Sequence, residues 1–258
     1  MAVTELFDLA GKTALVTGGS RGLGLQMAEA LGEMGAKVAI TARKANELEA
    51  AQVHLEGMGI EVLTHACDLS DPAAAEPLVG KVVGQWGTID ILVNNAGATW
   101  GAPAEEHPLE AWNKVLNLNL TAMFVLSQLV GKKVMIPRGA GKIINIASIA
   151  GYSGTDPHFM PTIAYNTSKA GVINFTKSLA CEWARHGIHV NGIAPGVFPS
   201  KMSKGMIDRA EQYILDHTPM RRMGTHQDLK GVTVLLASKA SDFMTGVTIP
   251  VDGGFSAL

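Results

Sequence analysis

The sequence predicts a doubly wound α/β fold, a parallel sheet of about seven strands with helices on both faces. Short β-rich apolar runs alternate with longer helical patterns along almost the whole chain. A glycine-rich turn follows the first strand, and no low-complexity linker or internal repeat divides the 258 residues, so one domain is expected.

The expected strands are Thr13–Thr17, Lys37–Thr41, Glu61–Ala66, Ile89–Val93, Lys142–Ala147, His189–Ala194 and Val247–Val251. Helical patterns fall between them, at Leu23–Met34, Lys44–Gly57, Asp71–Trp86, Leu109–Ile136, Tyr165–His186 and His226–Ser238. Right-handed crossovers wind these helices onto the two faces of one sheet. The pattern misses two stretches, Thr99–Pro108 and Pro195–Pro219, which read as loops. In such folds, loops at the carboxyl ends of strands carry the ligands. A cofactor-binding half is expected over residues 12–150 and a catalytic and substrate half over residues 142–258.

Composition narrows the function. Apolar residues make up 47% and charged residues 17%, the balance of a compact globular chain. A net charge of −2 offers no basic field for nucleic acid. The apolar run Leu120–Val130 is interrupted by Ser127 and Gln128 and reads as a core helix, so no membrane association is expected. The two cysteines, Cys67 and Cys181, lie far apart, and with an N-terminus lacking an apolar signal core they point to the cytoplasm. His158, His186, His189 and His226 show no metal-ligand spacing.

The first strand runs into Thr17-Gly18-Gly19-Ser20-Arg21-Gly22-Leu23-Gly24, where a helix begins. Glycines there allow a tight turn and close approach of a pyrophosphate to backbone amides at a helix N-terminus. Such turns also serve as plain punctuation; the place after the first strand of an alternating chain favours the nucleotide, and with it a Rossmann-like sheet. The second strand ends at Ala42-Arg43 without the acidic residue that would take a ribose 2′-hydroxyl. Arg43 and Arg21 instead offer guanidinium groups suited to a 2′-phosphate, so NADP(H) is the expected cofactor.

Tyr165 and Lys169, four residues apart in a helical pattern, share a face about one turn apart. An ammonium beside a phenol favours the phenolate, which predicts a lowered tyrosine pKa and proton exchange near neutral pH.

Taken together, these pieces resemble the classical short-chain dehydrogenase/reductase family over essentially the full length. The resemblance rests on Thr17–Gly24, Asp68 after the third strand, Asn94-Asn95-Ala96-Gly97 after the fourth, Asn119 in the long fifth helix, Ser148, Tyr165-xxx-Lys169 and Pro195-Gly196. It implies that Ser148 polarises a substrate carbonyl while Tyr165 moves its proton. Lys169 would hold the ribose hydroxyls, and Asn119 a water linking Lys169 to solvent. It further implies that Asp68 with Leu69 contacts adenine and Asn94 the cofactor ribose, beside Asn95, Ala96 and Gly97. Val197 and Ser200, in the loop after Pro195 and Gly196, would meet the nicotinamide. Ser148 and Tyr165 are seventeen positions apart, wider than the common family spacing, so Tyr152–Ile163 should hold an insertion that shapes the entrance.

The implied reaction interconverts a ketone and a secondary alcohol. Trp100, Phe159, Phe198, Met202 and Met206 join Ser148 as candidate substrate contacts, and their apolar character suits an acyl chain. The loops at Asn95–Gly101 and Pro195–Met202 look most like the 3-oxoacyl thioester reductases of the family, with sugar-acid dehydrogenases similar overall and a broad carbonyl reductase also open. Lys201, Lys204 and Arg209 are candidates for receiving a phosphopantetheine arm. A non-catalytic NADP-binding sensor or scaffold is the competing class, opposed by the intact Ser148, Tyr165 and Lys169. The resemblance also implies a homotetramer built on Leu109–Ile136, Tyr165–His186 and Asp242–Leu258.

Overall fold

In the computed structural model, which describes residues 2–156 and 159–258, seven parallel strands form one sheet in the order β3-β2-β1-β4-β5-β6-β7. The strands are β1 (Thr13–Thr17), β2 (Lys37–Ala42), β3 (Val62–Ala66), β4 (Ile91–Asn94), β5 (Gly141–Ile146), β6 (Ile188–Pro195) and β7 (Thr248–Val251). All seven expected strands are present, with ends shifted by up to two residues.

Side chains alternate across the sheet, and both faces are covered, so the strands read as continuous apolar runs. Val16 and Ile40 point to one face, where they pack with Met27, Leu31, Leu48, Leu55 and Leu236 from the helices Gly22–Glu33, Ala45–Gly57 and Lys230–Ala237. Their neighbours Leu15 and Ala39 point to the other, against Leu78, Val82, Leu126, Val130 and Leu179. Those residues belong to Ala75–Trp86, the long helical stretch Leu109–Arg138 and the helix Ile163–Trp183.

The stretch Leu109–Arg138 is long and apolar enough to span a membrane by length and composition, yet Leu126, Val130, Val134 and Met135 are spent on the sheet. Two π-helical turns, Asn117–Thr121 and Gly131–Met135, interrupt it. Such turns re-aim side chains and often mark functional positions; here the first carries Asn119.

One expectation fails. The segment Pro195–Pro219 was expected to be loop, but Lys204–His217 is helical. Met206, Ile207, Ala210, Tyr213 and Ile214 recur at helical spacing, but only Ile214 is buried and Ala210 (φ −139°) breaks the regularity, so the stripe rests lightly on the domain.

The strand order reverses between β1 and β4, which places a crevice at their carboxyl ends.

Candidate active site

A cleft of about 1560 Å³ crosses these carboxyl ends. Every sequence-predicted site residue lines it except Asn94, Asn119 and Lys204.

Its floor is a clamp between two loops. Thr17 Oγ1 accepts hydrogen bonds from the backbone N–H groups of Asn95 and Ala96, both at 2.9 Å. Asn95 Nδ2 returns bonds to the carbonyls of Thr17 (2.9 Å) and Gly18 (3.2 Å). Gly24 serves this closure, since a Cβ there would lie 2.2 Å from the Gly18 carbonyl oxygen and 2.5 Å from Asn95 Nδ2. Gly22 does something different: its φ is +54° and a Cβ would meet only Ser200, at 3.9 Å. Its face is open to the cleft at the start of a helix, the arrangement a pyrophosphate needs.

Asn94 requires a correction. Residues alternate along β4, so while Asn95 reaches the cleft, Asn94 turns into the core. Its Nδ2 donates to Ser127 Oγ (3.0 Å) and Asn145 Oδ1 (2.9 Å), and Asn145 Nδ2 donates to Thr176 Oγ1 (3.0 Å). This buried chain joins β4 and β5 to two helices beneath the site and leaves Asn94 no reach to a ribose. Asn145 and Thr176 had no motif to announce them.

Asn119 is fully buried in its π turn. It holds the Gly97–Ala98 loop, accepting from Ala98 N–H (2.7 Å) and donating to Ala98 O (3.0 Å) and Ser168 Oγ (2.9 Å). Asn119 therefore acts on the cleft through the loop it positions.

Ser148 caps the turn Ile149–Gly151, accepting from Ala150 N–H at 3.2 Å, and its hydroxyl is also hydrogen-bonded to that of Tyr165. The expected lowering of the tyrosine pKa is reversed within the chain alone: burial pushes the phenol up, and the Ser148 bond offsets this only in part. Lys169 is buried, with Nζ 5.6 Å from the Tyr165 ring centroid and donating to Ile146 O at 2.7 Å. Burial brings its own pKa down to about 8. Phenol, hydroxyl and ammonium thus converge on one wall, the geometry for passing a proton to a bound oxygen.

At the other end stand Arg21, Arg43 and Lys44. Asp68 lies beside Arg43 (4.0 Å) and closes its own turn by accepting from Ser70 N–H and Oγ. Burial opposes ionisation of Asp68, but the Ser70 bonds and Arg43 outweigh it, so its carboxyl titrates below the usual range. Cys67 and Thr41, which sequence reading passed over, also line this end, with Sγ and Oγ1 3.1 Å apart.

Trp100, the described residues of the loop 152–162 and the helix Lys204–His217 also line the cleft. Phe159 anchors that loop: its ring lies 5.0 Å from Tyr213, which stacks on His217 at 3.8 Å. His158 lies outside the described residues. Phe198 touches the cleft but is mainly packing, its ring filling the space above Gly224. Met202 and Met206 line the wall, as do Lys201 and Arg209, whereas Lys204 pairs with Asp208 at 3.1 Å. Phe255 and Leu258 from the C-terminus reach the cleft as well, a contribution nothing in the sequence had signalled.

Comparison with known proteins agrees with this geometry. A family model described as short chain dehydrogenase matches residues 12–211. Gluconate 5-dehydrogenase of Gluconobacter oxydans is 39% identical over 258 residues, 99% of each chain. The 3-oxoacyl-[acyl-carrier-protein] reductase of rhamnolipid biosynthesis in Pseudomonas aeruginosa is 38% identical over 254 residues, 96% of this chain and 98% of that one. A crystal structure of gluconate 5-dehydrogenase from Burkholderia cenocepacia, in complex with NADP and tartrate, superposes with a TM-score of 0.93 at 34% identity, covering 100% of both chains.

Proposed function

The chain belongs to the short-chain dehydrogenase family, and from that premise we propose that it is an NADP(H)-dependent oxidoreductase interconverting a keto group and a secondary alcohol on a sugar acid. The open face of Gly22 fits a pyrophosphate and the three cations at the far end fit a ribose 2′-phosphate, so the cleft suits NADP(H). Bound there, the nicotinamide supplies or receives the hydride. The protein's own groups manage the rest. Ser148 holds the carbonyl oxygen; the Tyr165 hydroxyl gives its proton to that oxygen in reduction and takes it back in oxidation. Lys169 holds positive charge beside the phenol.

One observation carries the choice of a sugar acid. Lys201 and Arg209 stand on the substrate wall and have no carboxylate partner among the described residues. They can receive a substrate carboxylate a short chain away from the reacting carbon. The relatedness to gluconate 5-dehydrogenases supports the same substrate class over the 3-oxoacyl thioester expected first. That thioester keeps one specific support, the methionines Met160, Met202 and Met206 in the wall.

A panel with NADPH separates the readings: a 5-keto sugar acid should exceed acetoacetyl thioester in kcat/KM by about tenfold or more. Arg209→Ala should raise KM for the keto acid with kcat little changed. The reverse ranking would select the thioester. The exposed apolar side chains Leu109, Phe124, Phe243 and Leu258 support association into a homotetramer, against which a monomeric mass by light scattering would count.

A further inference from the structure

Glu47 stands in the first turn of the helix Ala45–Gly57, on the wall of the cleft. Its Oε1 lies 2.7 Å from Arg21 Nη1 and 3.3 Å from Lys44 Nζ. These are two of the three cations at this end of the cleft, and the third, Arg43, has Asp68 beside it. The cations that would meet a 2′-phosphate therefore already share two carboxylates.

We propose that Glu47 sets the preference between the two nicotinamide cofactors, its carboxylate competing with the ribose 2′-phosphate for Arg21 and Lys44. The inference rests on the cofactor assignment made above. A 2′-phosphate brings nearly two negative charges to within reach of both cations, so Arg21 must exchange partners and Glu47 is left facing an anion. A ribose bearing a 2′-hydroxyl imposes neither cost. The chain therefore binds NADPH less tightly than its cations alone would allow, and NADH is not penalised. The helix start gains from an acidic residue by its dipole, but that benefit does not require the side chain to lie against Arg21, 26 positions away in sequence.

Equilibrium titration of the protein by cofactor fluorescence tests this without turnover. Glu47→Gln should lower the dissociation constant for NADPH about three- to tenfold and change that for NADH less than about twofold. The NADPH gain should shrink as salt rises from about 0.05 M to about 0.5 M, since the repulsion removed is electrostatic. Glu47→Asp, which keeps the charge but draws it back, should fall between. Arg43→Ala serves as the control and should weaken NADPH far more than NADH. If Glu47→Gln leaves NADPH affinity unmoved or loosens it, or moves both cofactors equally, Glu47 is a structural or orienting residue and the proposal falls. Failure of the unaltered protein to bind NADPH would instead overturn the cofactor assignment itself.

Discussion

Tyr165→Phe is expected to lower kcat for keto-acid reduction by about 10²- to 10⁴-fold while leaving the dissociation constant for NADPH within about twofold. The substitution removes one hydroxyl from a half-buried ring and leaves the ring's packing unchanged, so folding and cofactor binding should survive. What disappears is the phenol hydroxyl hydrogen-bonded to Ser148. The pH profile carries further information. Burial alone would hold this phenol protonated across the physiological range, which suits a group that donates in reduction; the oxidative direction needs the phenolate and should accelerate as pH rises. Single-turnover reduction and fluorescence titration on the same preparation separate the two effects. Undiminished reduction by the phenylalanine variant would remove Tyr165 from the chemistry.

The second large effect concerns Lys169, where activity and stability should move in opposite directions. Lys169→Met is expected to cut turnover by about 10²-fold or more, because the positive charge beside Tyr165 is lost. Its effect on stability follows from linkage. The folded pKa of about 8 lies below the ordinary 10.5, so between these values the unfolded chain binds more protons and stability rises with pH. Below about pH 8 the buried ammonium costs the fold about 3 kcal/mol. Methionine escapes that cost but leaves the Ile146 carbonyl without its donor, a loss of about 1–2 kcal/mol. The variant should thus be more stable than the parent by on the order of 1 kcal/mol at pH 7, the advantage vanishing at about pH 9–10 and reversing above that. Thermal melts at pH 7 and pH 10 check it: a variant that is destabilised at pH 7 would show that the ammonium is compensated in the fold.

Both predictions concern residues that the sequence had already singled out, and the reason is physical. A parallel sheet covered on both faces requires uninterrupted apolar strands separated by helix-length segments, so Thr13–Thr17 or Ile89–Val93 are visible as composition alone. The chemistry is legible for a similar reason: a glycine turn, a tyrosine and a lysine four apart, and Ser148 at a strand end are local patterns whose spacing is set by backbone geometry. The helix Lys204–His217 escaped because it rests on the domain with one buried side chain and holds its place through Tyr213 and Phe159.

What the chain order determined unaided was the sheet, the place of its crevice and that Tyr165 and Lys169 share one face of a helix. Only the tertiary structure decided that Asn95 rather than Asn94 faces the cleft, that Glu47 reaches Arg21 across 26 positions, and that burial raises the Tyr165 pKa where its lysine neighbour had promised to lower it. These depend on which way a strand's pleat turns, which loops meet and how much water is excluded. Such quantities come into being when distant segments pack, and no local pattern encodes them.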